Sequence, residues 1–120
     1  MPPTLANGKV CYIEIPTADA ERSAAFYHTV FGWSIRRRSD GHSAFDDGVG
    51  EVSGSWVEGR APSRDAGVLI YVMVDDIQET MCRIFDAGGE IVEPPRERGE
   101  IIARFRDPDG NMFGLYQERG

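Results

Sequence analysis

The chain has 120 residues, 41% of them apolar and 28% charged, with a formal net charge of −7. This length and balance are typical of one globular domain, and no apolar run reaches the roughly 18 residues that a membrane-spanning helix needs. The acidic balance disfavours nucleic acid as a partner, because polyanions bind basic surfaces. The first residues show no apolar stretch behind a basic region, so we expect no export signal, a cytoplasmic location and reduced thiols at Cys11 and Cys82.

The first half of the chain predicts one strand, one helix and three further strands. Alternating apolar residues predict the first strand over 9–15, and apolar residues at helical spacing predict a helix over 17–32. Thr17 or Asp19 can cap the start of this helix, and Gly32 can end it in a left-handed conformation. The later strands are predicted over 33–38, 42–46 and 51–57.

The second half predicts the same order of elements. A strand is predicted over 67–74, and a helix over 75–89 begins with Asp76 and Glu79 spaced as a capping box. The later strands are predicted over 90–94, 101–107 and 111–117. Two polar segments have no pattern: we expect 1–8 to be a loose tail and EPPRERGE, residues 93–100, to be a loop that flexes over a site.

The closing stretch FRDPDGNMFGLYQ, residues 105–117, repeats the earlier stretch FDDGVGEVSGSWV, residues 45–57. Four residues recur at an offset of 60: Asp47 and Asp107, Gly50 and Gly110, Gly54 and Gly114, Trp56 and Tyr116. A repeat of whole supersecondary units predicts an α+β fold of two tandem βαβββ modules. The modules cover about 9–58 and 67–118, the linker covers about 59–66, and together they form a single domain over 1–120.

Three stretches of this sequence resemble the vicinal oxygen chelate superfamily, which includes glyoxalase I, bleomycin-resistance proteins and extradiol dioxygenases. They are IEIPTADAERSAAFYHTVFGW, VMVDDI followed by DAGGEIVEPP, and FRDPDGNMFGLYQ. The resemblance spans nearly the whole chain and is nearest to a glyoxalase-related subgroup. It implies that the two modules curl together as a mixed sheet around a shared cavity, and it implies a homodimer.

The resemblance also implies four ligand positions for one divalent ion, on the first and last strands of each module. Metal-dependent members fill them with His, Gln or Glu, side chains that bind a hard or borderline ion. Carried onto this chain, the four positions are Tyr12, Gly54, Leu69 and Gly114. Since these residues do not make an ion cage, we predict no metal and no other cofactor.

Strand alternation predicts which residues share a face with the four positions. The candidate ligand-binding residues are Tyr12, Glu14, His42, Trp56, Leu69, Tyr71, Met112 and Tyr116. If Gly54 and Gly114 leave space among these side chains, they form a pocket for a flat or amphipathic small molecule. Alternatively, the aromatic residues fill a solid core and the two glycines permit close backbone approach.

These observations leave three functions open. The first is metal-independent binding of a small aromatic or amphipathic molecule. The second is a lyase or isomerase reaction with Glu14 as the base and Tyr12 or Tyr71 as the proton donor, which requires that Glu14 be unpaired and desolvated. Pairing of Glu14 with Arg36 or Arg104 would instead make it structural. The third is a filled core that serves only dimerisation.

Overall fold

The computed structural model of the protein describes residues 2–98 and 100–118, and it confirms the α+β fold of two βαβββ modules. Module one contains β1 (Tyr12–Pro16), α1 (Ala20–Phe31), β2 (Ser34–Arg37), β3 (Ser43–Asp46) and β4 (Ser53–Val57). Module two contains β5 (Tyr71–Met73), α2 (Ile77–Asp86), β6 (Glu90–Arg98), β7 (Glu100–Arg106) and β8 (Met112–Gln117). Neither helix is long and apolar enough to cross a membrane, as far as the described residues extend.

Each module forms its own four-stranded mixed sheet. The strand orders are β1-β4-β3-β2 and β5-β8-β7-β6. In both sheets the first strand of the module lies at the edge and runs parallel to the last strand. The chain divides into two compact units, Met1–Ala61 and Pro62–Gly120, and the shared cavity stays a prediction.

Both helices begin where the sequence predicts. The Asp19 side chain accepts a hydrogen bond from the backbone N–H of Arg22 at 3.2 Å, and Asp76 accepts one from Glu79 at 3.1 Å. These bonds satisfy backbone donors that have no partner within a helix. Gly32 ends α1 with a φ of 71°, the left-handed conformation that glycine adopts without strain.

An aromatic cluster forms the core of module one, between α1 and the sheet. The ring of Trp33 stacks on Tyr27 with centroids 4.9 Å apart and on Phe45 with centroids 4.5 Å apart. Trp56 packs against both Tyr27 and Phe45, and only 3% of its surface is exposed. Burying four large rings together stabilises the packing of α1 against the sheet.

The core of module two is built from alternate residues of β7 and β8. Phe105 and Phe113 stack with centroids 5.8 Å apart, and Ala103, Leu115 and the α2 residue Ile84 are also buried. The residues between them on each strand lie on the opposite side of the sheet, because strand side chains alternate. In each module we call the side opposite the helix the helix-free face.

The predicted flexible loop over 93–100 is wrong for most of its length. Strand β6 continues to Arg98 and pairs with β7, while Gly99 lies outside the described residues. Register shifts flank Glu93, one before it and one between it and Arg96, where Pro94 and Pro95 follow in the chain. Proline lacks a backbone N–H, so an edge strand with local irregularities accommodates two of them.

The predicted loose tail is also wrong at Thr4. The backbone N–H of Thr4 donates to the Glu51 carboxylate at 3.2 Å, and its hydroxyl donates at 3.1 Å. Lys9 Nζ donates to the same carboxylate at 3.0 Å and to the Thr4 carbonyl at 2.9 Å. One carboxylate therefore attaches the N-terminal segment to the turn before β4.

Candidate functional site

The turn before the last strand is one residue longer in module one than in module two. Both turns contain the same bond, from Gly50 N–H to the Asp47 carbonyl and from Gly110 N–H to the Asp107 carbonyl. The turns then close differently. Asp47 N–H donates to the carbonyl of residue 52 at 2.8 Å, whereas Asp107 N–H donates to that of residue 111 at 2.9 Å. The repeat therefore has an offset of 60 up to Gly50 and of 59 in the strand that follows.

This single residue changes which side chains of β4 face the helix. Tyr71 of β5 pairs with Gly114, and the corresponding residue of β1, Glu14, pairs with Ser55. The module-one equivalent of Gly114 is therefore Ser55. A one-residue shift moves a whole strand to its other face. The prediction that Gly54 and Trp56 share a face with Tyr12 and Glu14 is wrong, because both lie on the α1 side of the sheet.

Glu14 lies on the helix-free face of module one and forms an ion pair. Its Oε1 accepts a hydrogen bond from Arg60 Nη2 at 2.6 Å, and 44% of the Glu14 side chain is exposed. The predicted partners, Arg36 and Arg104, are wrong, since each pairs with another carboxylate. The sequence argument missed Arg60 because it lies in a segment without strand or helix pattern.

Arg36 and Asp46 form a bidentate pair on the same face. Arg36 Nε and Nη2 donate to the two carboxylate oxygens at 2.9 and 3.0 Å, and the Ser53 hydroxyl donates to Oδ1 at 2.6 Å. The hydrogen bonds from Arg36 and Ser53 hold the pKa of Asp46 below its usual range, and the Asp46 carboxylate raises the pKa of Arg36.

This ion pair lies in a surface depression of about 360 Å³. The depression is lined by Pro3, Ser34, Arg36, Asp46, Asp47, Gly48, Gly50 and Ser53.

Tyr12 and His42 belong to one exposed network at the β2–β3 hairpin. Arg38 Nη1 donates to the Tyr12 hydroxyl at 3.2 Å, and Arg38 Nη2 lies 3.6 Å from the Asp40 carboxylate. His42 Nδ1 lies 3.3 Å from the same carboxylate, and 74% of its side chain is exposed. The backbone N–H of His42 holds the pKa of Asp40 below its usual range. The hairpin thus links two predicted site residues through an arginine and an aspartate.

The space predicted above the two glycines is occupied by aromatic rings. A Cβ at Gly114 would lie 2.5 Å from Cδ2 of Tyr71, so the Tyr71 ring crosses the backbone of β8. A Cβ at Gly54 would lie 2.3 Å from Cζ of Phe45 and 2.2 Å from the Ile13 carbonyl oxygen. At both positions the absence of a side chain lets a neighbouring ring approach the backbone closely. This agrees with the predicted alternative to an open pocket.

The remaining candidates lie in module two. Met112 and Tyr116 are half-buried on the helix-free face with Tyr71, and the Tyr116 hydroxyl donates to Glu118. Leu69 is half-buried just before β5. The structure brings Tyr71, Met112 and Tyr116 onto one sheet face, as strand alternation predicts.

The residues present do not fit a divalent ion. With the register of β4 corrected, the four positions implied by the resemblance carry Tyr12, Ser55, Leu69 and Gly114, which offer neither imidazole nor carboxylate. Nowhere in the described parts of the chain do three or more His, Cys, Asp or Glu side chains gather as a metal cage would require.

Comparison with known proteins identifies the family. Residues 9–115 match the model of the Glyoxalase/Bleomycin resistance protein/Dioxygenase superfamily, and the chain belongs to this superfamily. A probable lactoylglutathione lyase from Vibrio parahaemolyticus is 29% identical, with 96% of this chain and 94% of the relative covered. Virulence protein STM3117 from Salmonella typhimurium is 26% identical, with 91% and 83% covered.

Solved structures share the fold. Fosfomycin resistance protein FosX from Listeria monocytogenes matches with a TM-score of 0.77 at 22% identity, covering 95% of this chain and 94% of that protein. A member of the same superfamily from Sphaerobacter thermophilus matches with a TM-score of 0.76, also at 22% identity, covering 92% and 98%. At this identity the likeness concerns the fold alone.

Proposed function

We propose that this protein binds a small aromatic or amphipathic molecule without a divalent metal ion. The observation that carries the proposal is the residue set at the four ligand positions of the resemblance, Tyr12, Ser55, Leu69 and Gly114. None of these residues has a side chain that binds a divalent ion strongly. At Gly114, the Tyr71 ring occupies the space that a metal-binding side chain would need.

The exposed apolar side chains of the strands support an aromatic or amphipathic ligand. Tyr12 is 44% exposed, Tyr71 is 43% exposed and Met73 is 68% exposed, although each lies in a strand. Aromatic rings with a polar tip and flexible methionine side chains bind flat molecules through broad apolar contact and a few hydrogen bonds. These features favour small-molecule binding over a face that only supports the fold.

Native mass spectrometry of freshly purified protein tests metal independence. We expect spectra without a bound metal, and we expect the thermal unfolding midpoint to be unchanged by EDTA, Zn²⁺, Ni²⁺ or Mn²⁺. A stoichiometric ion, or stabilisation by one of these ions, would contradict the proposal. The same spectra report the oligomeric state, for which we propose a homodimer.

Ligand binding is tested with a panel of aromatic and amphipathic compounds. We expect some of them to raise the unfolding midpoint, and we expect Tyr71→Ala to abolish this effect. Phe85→Ala is the matched control, since Phe85 is a 73% exposed aromatic residue on α2. If no compound stabilises the wild-type protein, the alternative of a filled module that serves dimerisation is favoured.

An enzyme of the lyase type is the second candidate, favoured by the relatives named lactoylglutathione lyase. Its base would be Glu14, which is neither unpaired nor desolvated in this structure: its ion pair with Arg60 would have to open and its side chain, 44% exposed, would have to be covered by the substrate. Formation or cleavage of lactoylglutathione by the metal-free protein, with loss of activity in Glu14→Gln and not in Glu58→Gln, would support this function.

A further inference from the structure

Arg104 occupies the centre of the helix-free face of module two. It pairs across the sheet with Gly114 on one side and with Glu93 on the other, and Gly114 in turn pairs with Tyr71. Arg104 and Tyr71 are therefore the neighbours of Gly114 on its two sides, and the Tyr71 ring lies over this glycine. The row carries one cationic and one aromatic side chain on the same sheet face.

The guanidinium of Arg104 has more donors than the neighbouring carboxylate can accept. Its Nη1 lies 3.6 Å from Glu93 Oε1, beyond normal hydrogen-bond length, while Glu93 Oε2 lies 3.3 Å from Arg96. One carboxylate is thus shared between two arginines. Within the described residues, the Nε of Arg104 is buried and has no hydrogen-bond acceptor. A buried donor without an acceptor is costly. The Arg104 side chain as a whole is 39% exposed, so donors other than Nε are the ones that an oxyanion in solvent can reach.

We propose that Arg104 binds a carboxylate of the ligand while Tyr71 contacts an aromatic ring of the same molecule, so that the ligand is an aromatic carboxylate. This inference rests on the proposed function and names the chemical class of its ligand. The planar fork of arginine matches a carboxylate through two parallel hydrogen bonds. The exposed part of Tyr71, 43% of its surface, offers an apolar plane in the same row of this face.

Calorimetric titration of the full chain with 2-naphthoate and 2-naphthamide tests the inference, because the two probes share a ring system and differ in charge. We expect the wild-type protein to bind 2-naphthoate about tenfold more tightly than 2-naphthamide, since charge-assisted hydrogen bonds are about twice as strong as neutral ones. Arg104→Gln should remove this preference and leave the affinity for 2-naphthamide unchanged.

Arg96→Gln is the matched control, because it removes the same charge from the other partner of Glu93. It should keep the preference for 2-naphthoate. Glu93→Gln provides a second measurement that does not depend on the folding of the Arg104 variant. Removing the competing carboxylate should raise the affinity for 2-naphthoate several-fold and leave that for 2-naphthamide unchanged.

The outcomes separate the two proposals. Equal affinity for both probes, or a preference that survives in Arg104→Gln, overturns the role of Arg104 and leaves small-molecule binding standing. An unchanged affinity of Glu93→Gln for 2-naphthoate also overturns that role. Binding of neither probe overturns the assignment of an aromatic carboxylate, and the compound panel described above then decides separately on small-molecule binding.

Discussion

Gly54 and Gly114, which the sequence repeat aligns but the strand register does not, have different neighbours in the structure. The atoms nearest to a Cβ at Gly54 are the Ile13 carbonyl oxygen and the buried Phe45 ring, neither of which can move freely. At Gly114 the nearest atoms belong to the half-exposed Tyr71 ring, which can rotate away. Gly54 is therefore required by the core, whereas Gly114 leaves room for a surface ring.

We predict that Gly54→Ala lowers the free energy of unfolding by about 1–3 kcal/mol, because overpacking forces the backbone and a core ring apart. Urea denaturation measures the change. Gly48→Ala is the control, since a Cβ there meets nothing within 4 Å. Its effect should stay within about 0.5 kcal/mol, and equal effects of the two variants would show that the close contact at Gly54 is relieved at no cost.

The Asp46 carboxyl should make the stability of the protein sensitive to acid. Its pKa is lower when folded, because Arg36 and Ser53 bind the charged form. The ionised Asp46 carboxylate therefore contributes its full stabilisation of the folded state above the pKa of an aspartate in the unfolded chain, about 3.9. This contribution is lost as the pH falls through the lower pKa that Asp46 has in the folded protein. We predict that Asp46→Asn is less stable at pH 7 and loses less stability between about pH 5 and 2.

Urea denaturation across this pH range measures the effect. The control is Asp65→Asn, because the Asp65 side chain is 96% exposed. Its acid profile should follow that of the wild-type protein. If Asp46→Asn also follows the wild-type profile, the ion pair makes no contribution to folding.

At the scale of elements, local chemistry decides where the helices begin. Asp19 and Asp76 both adopt extended backbone conformations and accept a hydrogen bond from a residue three positions later. Only the adjacent sequence is needed for this bond, so both caps are predictable. The length of β6 could not be predicted in this way. Its second half forms a strand because it pairs with β7, and its own sequence shows no strand pattern.

We predict that Asp76→Ala lowers the free energy of unfolding by about 1 kcal/mol, since a helix N-cap contributes roughly this amount. Asp75→Ala changes the same charge one residue earlier, outside the helix, and serves as the control. Thermal or urea unfolding compares the two variants. Equal losses would attribute the effect to charge and not to the cap.

At the scale of the whole molecule, the basic run Arg36–Arg38 does not form a free positive surface. Arg36 pairs with Asp46, Arg37 Nη2 lies 3.6 Å from Glu21, and Arg38 lies 3.6 Å from Asp40. With a net charge of −7 around these pairs, the long-range field repels a polyanion.

We predict that the protein does not bind duplex DNA more tightly than about 100 µM at physiological salt, the weak end of non-specific binding. Fluorescence anisotropy with a labelled duplex measures this. The variant Glu21→Gln/Asp40→Asn/Asp46→Asn removes the three acidic partners and should bind DNA more tightly than the wild-type protein. Tight binding by the wild-type protein would show that the arginines are available despite their partners.

By itself, the sequence determined the two βαβββ modules, their caps and the helix-free face of module two, because each depends on periodicity or on contacts between residues close in the chain. Only the tertiary structure decided that Ser55, and not Gly54, corresponds to Gly114, since one extra residue in a turn reverses the faces of the strand that follows. It also decided that Arg60 pairs with Glu14 and that Tyr71 covers Gly114. Such contacts join side chains that are distant in the chain, and no local pattern records them.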